Sequence, residues 1–529
     1  MQQHKTILTL AICAALGSTT AAAATFEVTS NADAGAGSLR QALVDANANA
    51  EADTINMSSI SGQTINLTSG QLYTSYDDIV INGAGVTIDA GGSSRVMLSS
   101  VSDLTLNSVT LTNGLVDGSG GGIFSFAGDL TLNDSTITAN SAGDGDGGGV
   151  FFGRYLYSDD PDLTINASTI SANTATIDGG GLAASTYGNV TINASTISDN
   201  TADFDNGGLY AYVYGGANVI VSNSTISGNT ALDDVGGLYI YSYQGDVTVS
   251  GSTISGNVSS DRYGGLLATA EDAPDVNVTL ENTTITYNQA AFFAGASLDT
   301  DEQGQTRVTN STISGNTASA DFAGLAVFSR YYDTNISPEV IIEYTTVTGN
   351  TATGQNAGVA MFGNDSSRQN IVASVISGNT AASDADMFID PTSETVDMTL
   401  SLLGVDPTTG TLNKDAVSMS LTGQNPLLGP LANNGGPTLT HLPGAGSPLL
   451  NTIPSGSAGC GVSITTDQRG ESRSAEGACD IGAVEVQGNA LPPPAAVPML
   501  NRLGLLLMAG LLGLGAMLGW RRSERKSTG

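Results

Sequence analysis

One motif recurs along most of this chain and dictates what it can fold into. Ser135-Thr-Ile-Thr-Ala-Asn140 returns as Ser168–Asn173, Ser195–Asn200, Ser224–Asn229, Ser252–Asn257, Thr283–Asn288, Ser311–Asn316, Thr345–Asn350 and Ser374–Asn379, with a weaker copy at Ser108–Asn113. Successive copies start 27, 33, 27, 29, 28, 31, 28, 34 and 29 residues apart. A period near 30 with small insertions describes a fixed structural unit carrying variable loops. Within a unit the apolar residues alternate with polar ones, as in Val219, Val221 and then Ile226 after a short turn. The same columns hold Leu130, Leu132 and Ile137, or Val247, Val249 and Ile254. A Gly-rich turn and a third alternating stretch follow, for instance Gly208-Leu209-Tyr210 and Gly237-Leu238-Tyr239. Alternation with period two predicts strands with one buried face. Three such strands per unit cannot close a core alone, but stacked coils bury their faces against one another.

The prediction is therefore an all-β protein, a single-stranded right-handed parallel β-helix with three short strands per coil. A propeller blade needs four strands and roughly 40–50 residues, more than these units supply. Glycine is 67 of 529 residues without a Gly-X-Y register, which excludes collagen. The Asn closing each motif suits a left-handed corner, and its amide is placed to bond the Asn of the next coil at about 4.8 Å. Ten units then make a stack about 43 Å long.

The repeat Ile226-Ser-Gly-Asn229-Thr-Ala231…Gly236-Gly237-Leu238 resembles those of chlamydial polymorphic outer membrane proteins and related adhesin-like, pectin-lyase-like β-helices. That resemblance implies adhesion or structural work at a bacterial surface. Gly37-Ser38-Leu39-Arg40-Gln41-Ala42-Leu43 is similar to the CSLREA segment that opens many secreted β-helix proteins. Ser38 is a candidate N-cap there, with Leu39, Leu43 and Ala46 on one helical face, so a short helix is expected to cover the first open coil.

Residues 1–24 read as a secretory signal peptide: Lys5, an apolar run from Ile7 to Leu16, then an Ala-rich end. Export leaves Cys460 and Cys479 as the only cysteines, placed to form a disulfide in an oxidising compartment. At the other end a Pro-rich linker leads to Leu503–Trp520, 18 residues without a charge, and then Arg521, Arg522, Arg525 and Lys526. This reads as a C-terminal transmembrane helix with a cytoplasmic basic tail. Val497-Pro498-Met499-Leu500 ahead of it resembles the IPTL-CTERM sorting tails of Gram-negative bacteria. The resemblance implies a membrane-bound sorting or processing enzyme as partner, and a mature chain ending near Pro498. Asn434-Gly-Gly-Pro-Thr438…His441 with Thr466-Asp467-Gln468-Arg469-Gly470…Cys479-Asp480-Ile481-Gly482 is similar to the choice-of-anchor domain that precedes such tails. The expected organisation is a signal peptide (1–24), N-terminal cap and first coils (25–98), repeats (99–400), an anchor-like end of the solenoid (401–488), and linker, helix and tail (489–529).

Charge restricts the partners. Setting aside Lys5, Arg502, Arg521, Arg522, Arg525 and Lys526 leaves 10 of 16 basic residues, and setting aside Glu524 leaves 49 of 50 acidic ones. Residues 25–490 thus carry −39, which argues against nucleic acid and anionic membranes as ligands. Catalytic triads and zinc sites lack ingredients, because His441 is the only histidine beyond the signal peptide. Arg469 and Asp480 are expected to form a structural ion pair. No catalytic residue is assigned and no cofactor is required. Acidic residues recur just ahead of the Gly-rich turn, at Asp146, Asp178, Asp205, Asp234, Asp261 and Asp321, and Asp144 lies in a Gly-Asp-Gly-Asp-Gly run. They form either a solvated acidic edge or a Ca2+ site. A lyase or glycosidase is the enzymatic alternative, with Asp299, Asp301 and Glu302 near Arg330 as its acidic cluster. The favoured ligand site is aromatic. Leu209, Ala211 and Val213 point inward, so Tyr210, Tyr212 and Tyr214 point outward, and Tyr239, Tyr241 and Tyr243 repeat the arrangement one coil on. Phe124, Phe126 and Phe151 are expected to extend this array as a surface for a glycan or a cell-surface protein.

Overall fold

The computed structural model describes residues 23–48, 51–75, 78–100, 102–153, 160–273, 275–301, 304–330, 338–363, 368–392, 395–414, 420–473 and 477–487. The expected signal peptide up to Ala22, the expected sorting tetrapeptide Val497–Leu500, the apolar segment Leu503–Trp520 and Glu302 lie outside the described residues. Among the described residues no helix is long and apolar enough to cross a membrane.

The repeat becomes a parallel solenoid. The central coils each contribute to three sheets whose strands pair in parallel with the coils before and after. The third sheet has twelve strands, one per coil, so the stack is about twelve turns long. In one coil, Leu130–Asn133 and Thr136–Thr138 belong to the first sheet, Ser141–Ala142 to the second and Val150–Gly153 to the third. Each central coil thus has four strands where three were expected. The additional one is the Thr-Ala dipeptide after the Asn, which pairs from coil to coil across nine strands.

Register follows the hydrophobic columns. Ile197, Ile226 and Ile254 stack in successive coils and are fully buried, while Thr225 beside Ile226 is exposed. At the solenoid's start Ser38 caps helix α1 (Leu39–Ala46), its hydroxyl accepting the Gln41 N–H, and Leu39, Ala42, Leu43 and Ala46 are buried. The predicted N-terminal cover is therefore in place.

The Asn column is a continuous buried ladder. Asn140 Nδ2 donates to Asn173 Oδ1 at 3.0 Å, and the pattern runs through Asn200, Asn229, Asn257, Asn288, Asn316 and Asn350 to Asn379. Asp386 terminates it, accepting Asn379 Nδ2 at 2.9 Å. The left-handed residue at this corner is not the Asn but its predecessor: Ala139, Ala172, Asp199 and Tyr287 have φ of 55°, 54°, 56° and 57°. The weak copy at Ser108–Asn113 is also one residue out of phase, because Leu111 rather than Thr110 opposes Ile137 and Asn113 is itself left-handed. Glycine beside the ladder is a matter of space. A Cβ on Gly237 would lie 2.3 Å from Gly265 O and 3.1 Å from Asn257 Nδ2. The Ser that opens each motif builds a second ladder, Ser135 N–H donating to Ser168 Oγ and Ser168 N–H to Ser195 Oγ.

The chain through Val486 is one compact unit. Within it the anchor-like region does not simply end the solenoid. Strands Leu402–Leu403 and Leu421–Thr422 finish the first sheet, after which the chain returns along that sheet's flank. Thr438 Oγ1 bonds Asn282 O at 3.2 Å, Thr312 Oγ1 bonds Gln468 Oε1 at 2.6 Å, and Gly482 N–H bonds Ala373 O at 2.8 Å. The outward Thr284, Thr312 and Thr346 are consequently buried, whereas Thr225 and its neighbours in earlier coils face solvent or nearly so. Cys460 and Cys479 form the expected disulfide inside this segment.

Candidate ligand-binding face

With the later coils of the first sheet covered, the outward side of the third sheet is where large side chains gather on the solenoid wall. Strands Leu209–Val213 and Leu238–Tyr243 alternate buried and half-buried residues, so the tyrosines do project outward. Tyr210 opposes Tyr239 and Tyr212 opposes Tyr241 in the register. Their rings stack: centroids are 5.3 Å apart for Tyr210 and Tyr239, and 4.3 Å apart for Tyr212 and Tyr241. Tyr212 and Tyr214 are 4.6 Å apart, and Tyr214 stacks on Tyr187 at 5.0 Å. Tyr187, in the turn after Leu182–Thr186, extends the array although no alternation in sequence marks it. Tyr243 opposes Glu271 one coil on.

The rings are half-buried rather than fully exposed, because each covers its neighbour's face. Burial, followed by the neighbouring Tyr212 and Glu271, pushes the Tyr239 hydroxyl up to about 12, and burial likewise raises Tyr210 and Tyr212. These phenols therefore stay protonated and able to donate at any physiological pH. Tyr241 Oη donates to the Glu271 carboxylate, which fixes a carboxylate at the platform's edge. Asp299 follows in the next coil, opposite Thr269.

The phenylalanines do not continue this platform. Phe124 stacks on Phe151 at 4.9 Å and meets Phe126 edge-on at 5.4 Å, with the Arg95 guanidinium 5.0 Å from the Phe124 ring. Ala183 and Ser185 occupy the intervening coil and separate the two groups. A third aromatic group was not legible from alternation. Phe293 and Phe322 sit in turns with left-handed backbone, stack at 5.0 Å, and help to cover Phe328, Phe362 and Phe388.

The acidic column is a backbone brace. Asp178 N–H donates to Asp146 Oδ1 at 3.1 Å, Asp205 N–H to Asp178 Oδ1 at 3.3 Å, and Asp234 N–H to Asp205 Oδ1 at 2.9 Å. Asp144 is exposed on the preceding loop and stands outside this chain of bonds. Asp261 is likewise out of register, since its N–H bonds Asp233 O and the column position belongs to Arg262. Asp233, Asp234 and Asp261 bring carboxylate oxygens within 4.8 Å of one another. Arg262 lies among them, 2.6 Å from Asp234 and 3.6 Å from Asp261, and supplies the positive charge there. A second brace of the same kind runs from Asp78 through Asp103 and Asp129 to Asp162.

Burial and the neighbouring Asp205 and Asp146 raise the Asp178 carboxyl from 3.8 to about 6. Around pH 5 the folded chain holds a proton there that the unfolded chain has released. That contribution favours the fold below about pH 4 and is lost as pH rises through about 6. Asp178→Asn keeps an acceptor for the Asp205 N–H and removes the titration. The variant should lose less melting temperature than the parent between pH 4.5 and 7.5, measured by differential scanning fluorimetry. An identical pH dependence would show that this carboxyl carries no such contribution.

The residues of the anchor-like motif are structural. His441 Nε2 lies 2.8 Å from Ser314 Oγ and Nδ1 lies 2.7 Å from Gly429 O. Arg469 forms its ion pair with Asp467 at 2.8 Å, not with Asp480, whose carboxylate instead accepts the Asn451 and Val486 N–H groups. The reason is local: Asp467 and Arg469 lie two residues apart in one tight turn, where Asp467 also accepts the Arg469 and Glu471 N–H groups.

An acidic parallel solenoid with an aromatic platform on one open sheet is thus the class of protein these features define. A family model described as a right-handed beta helix region matches residues 148–341, a span that includes both tyrosine strands. No curated protein matches the chain.

Proposed function

We propose that this chain is a non-enzymatic, exported β-helix protein of a bacterial surface that binds a glycan through the tyrosine platform. The observation that carries the reading is the pair of stacked rings Tyr210–Tyr239 and Tyr212–Tyr241 on a sheet face that the C-terminal segment leaves uncovered. Stacked phenols present apolar edges together with hydroxyl donors, the combination that suits the CH faces and hydroxyls of sugar rings. Export rests on the signal peptide and the disulfide, and surface display on the sorting tail, with a membrane-bound processing enzyme as the tail's partner. Tyr212→Ala with Tyr241→Ala should abolish binding on a glycan array while costing only about 1–3 kcal/mol of stability. Unchanged binding by the folded double variant would remove this face from consideration.

One observation favours the enzymatic reading as a second. Asp301 opposes Arg330 in the register, and Asp299 lies two residues before it on the same strand. A lyase or hydrolase would use carboxylates and a basic residue placed on adjoining coils in this way. Release of unsaturated products or new reducing ends from a polysaccharide panel, lost in Asp299→Asn, would favour it.

A further inference from the structure

The ligand class can be read from the charge around the platform, an inference that rests on the glycan reading above. Glu271 accepts the Tyr241 hydroxyl at one edge. Glu271 also stands opposite Tyr243 in the register, on the coil that follows the second tyrosine strand. The nearby cation among the described residues, Arg262, is engaged by Asp234 and Asp261. The surrounding ectodomain adds a strongly negative field, with 49 acidic against 10 basic residues over residues 25–490. A uronate, sulfated or sialylated chain would bring like charge to this surface. An ammonium group meets the opposite: the Glu271 carboxylate beside the Tyr241 hydroxyl, at the edge of the stacked rings.

We infer that the platform selects glycans bearing free amino groups, with sugar rings seated on Tyr212 and Tyr241 and an ammonium group directed at Glu271. Neutral sugars retain the ring contacts and lose the ionic one, and polyuronates are excluded.

The test uses the full-length chain and three hexasaccharides of glucosamine, N-acetylglucosamine and galacturonic acid, titrated calorimetrically. The glucosamine hexamer should bind about tenfold tighter than its acetylated counterpart, the scale of one hydrogen bond between an ammonium group and a carboxylate. The galacturonate hexamer should not bind, and salt should narrow the preference. Glu271→Gln should bring the first two ligands to within about threefold of each other. Tyr212→Ala with Tyr241→Ala should abolish binding of the glucosamine hexamer without changing net charge, which separates platform recognition from diffuse attraction to an acidic protein. If that pair fails to fold by circular dichroism, Tyr212→Leu with Tyr241→Leu takes its place. Equal, tyrosine-dependent binding of the amino and acetylated hexamers would overturn the inference and leave the platform reading standing. Glucosamine binding that survives loss of both tyrosines would overturn it as bulk charge attraction, and binding of none of the three would overturn the platform reading itself.

Discussion

Ile226→Asp should cost more than about 4 kcal/mol, enough to break the stack at its centre. Ile226 is 0 % exposed and lies between Ile197 and Ile254 of the adjoining coils. A carboxylate there loses its hydration and meets only aliphatic carbon, and its neighbours cannot move aside without disturbing their own coils. Thr225→Asp, one residue away on the exposed side, should stay within about 1 kcal/mol. Denaturant midpoints for the two variants decide the matter. Comparable losses would mean that Ile226 does not face the core and Thr225 does not face solvent.

That contrast is predictable because strand phase is written redundantly, with nine strong copies of one alternating motif all requiring the same face inward. What escaped the sequence is what does not repeat with period two. The Thr-Ala strands are two residues long, too short to alternate, and only their coil-to-coil pairing makes them a sheet. The left-handed corner was placed one residue late because its occupants are as varied as Ala139, Asp199, Gly228 and Tyr287, while the recurrent Asn beside it serves the ladder instead. The acidic column was visible as a recurrence, but its bonds to the next coil's N–H groups require knowing the register. Asp261 shows the limit, since a one-residue offset hands its place to Arg262. On the candidate face, alternation was sufficient to aim six tyrosines outward. It could not show that Ala183 and Ser185 interrupt the aromatic row, or that Tyr187 joins it from a turn. The return of the C-terminal segment was least legible of all, because its contacts join residues such as Asn310 and Arg473 that are 163 positions apart.

Arg473 is the side chain on which that return most depends. It is 0 % exposed, and its guanidinium lies 4.1 Å from the centre of the Tyr344 ring. Nη2 donates to Asn310 Oδ1 at 2.8 Å and to Gly482 O at 2.9 Å, and Nε donates to Thr466 O at 3.2 Å. One side chain therefore ties the solenoid's first sheet to two separate stretches of the segment lying on it. Arg473→Ala would leave a cavity, three acceptors without this donor and the buried Asp480 carboxylate with one cation fewer beside it. The expected cost is about 3–5 kcal/mol, borne locally as detachment of the segment rather than loss of the coils. Glu485, 3.6 Å from Arg473, should behave differently. Burial and the charges of Asp480 and Asp467 outweigh the arginine and push its carboxyl up to about 8, so it carries a proton at pH 7. Glu485→Gln, which preserves a neutral acceptor for the Asp480 N–H, should then be nearly silent at that pH. Hydrogen exchange reads both variants: Arg473→Ala should expose the amides of Arg473, Gly482 and Ala483 while those of the Ile197–Ile254 coils stay protected. Retained protection of Gly482 and Ala483 in Arg473→Ala would show that the other bonds along the flank hold the segment without it.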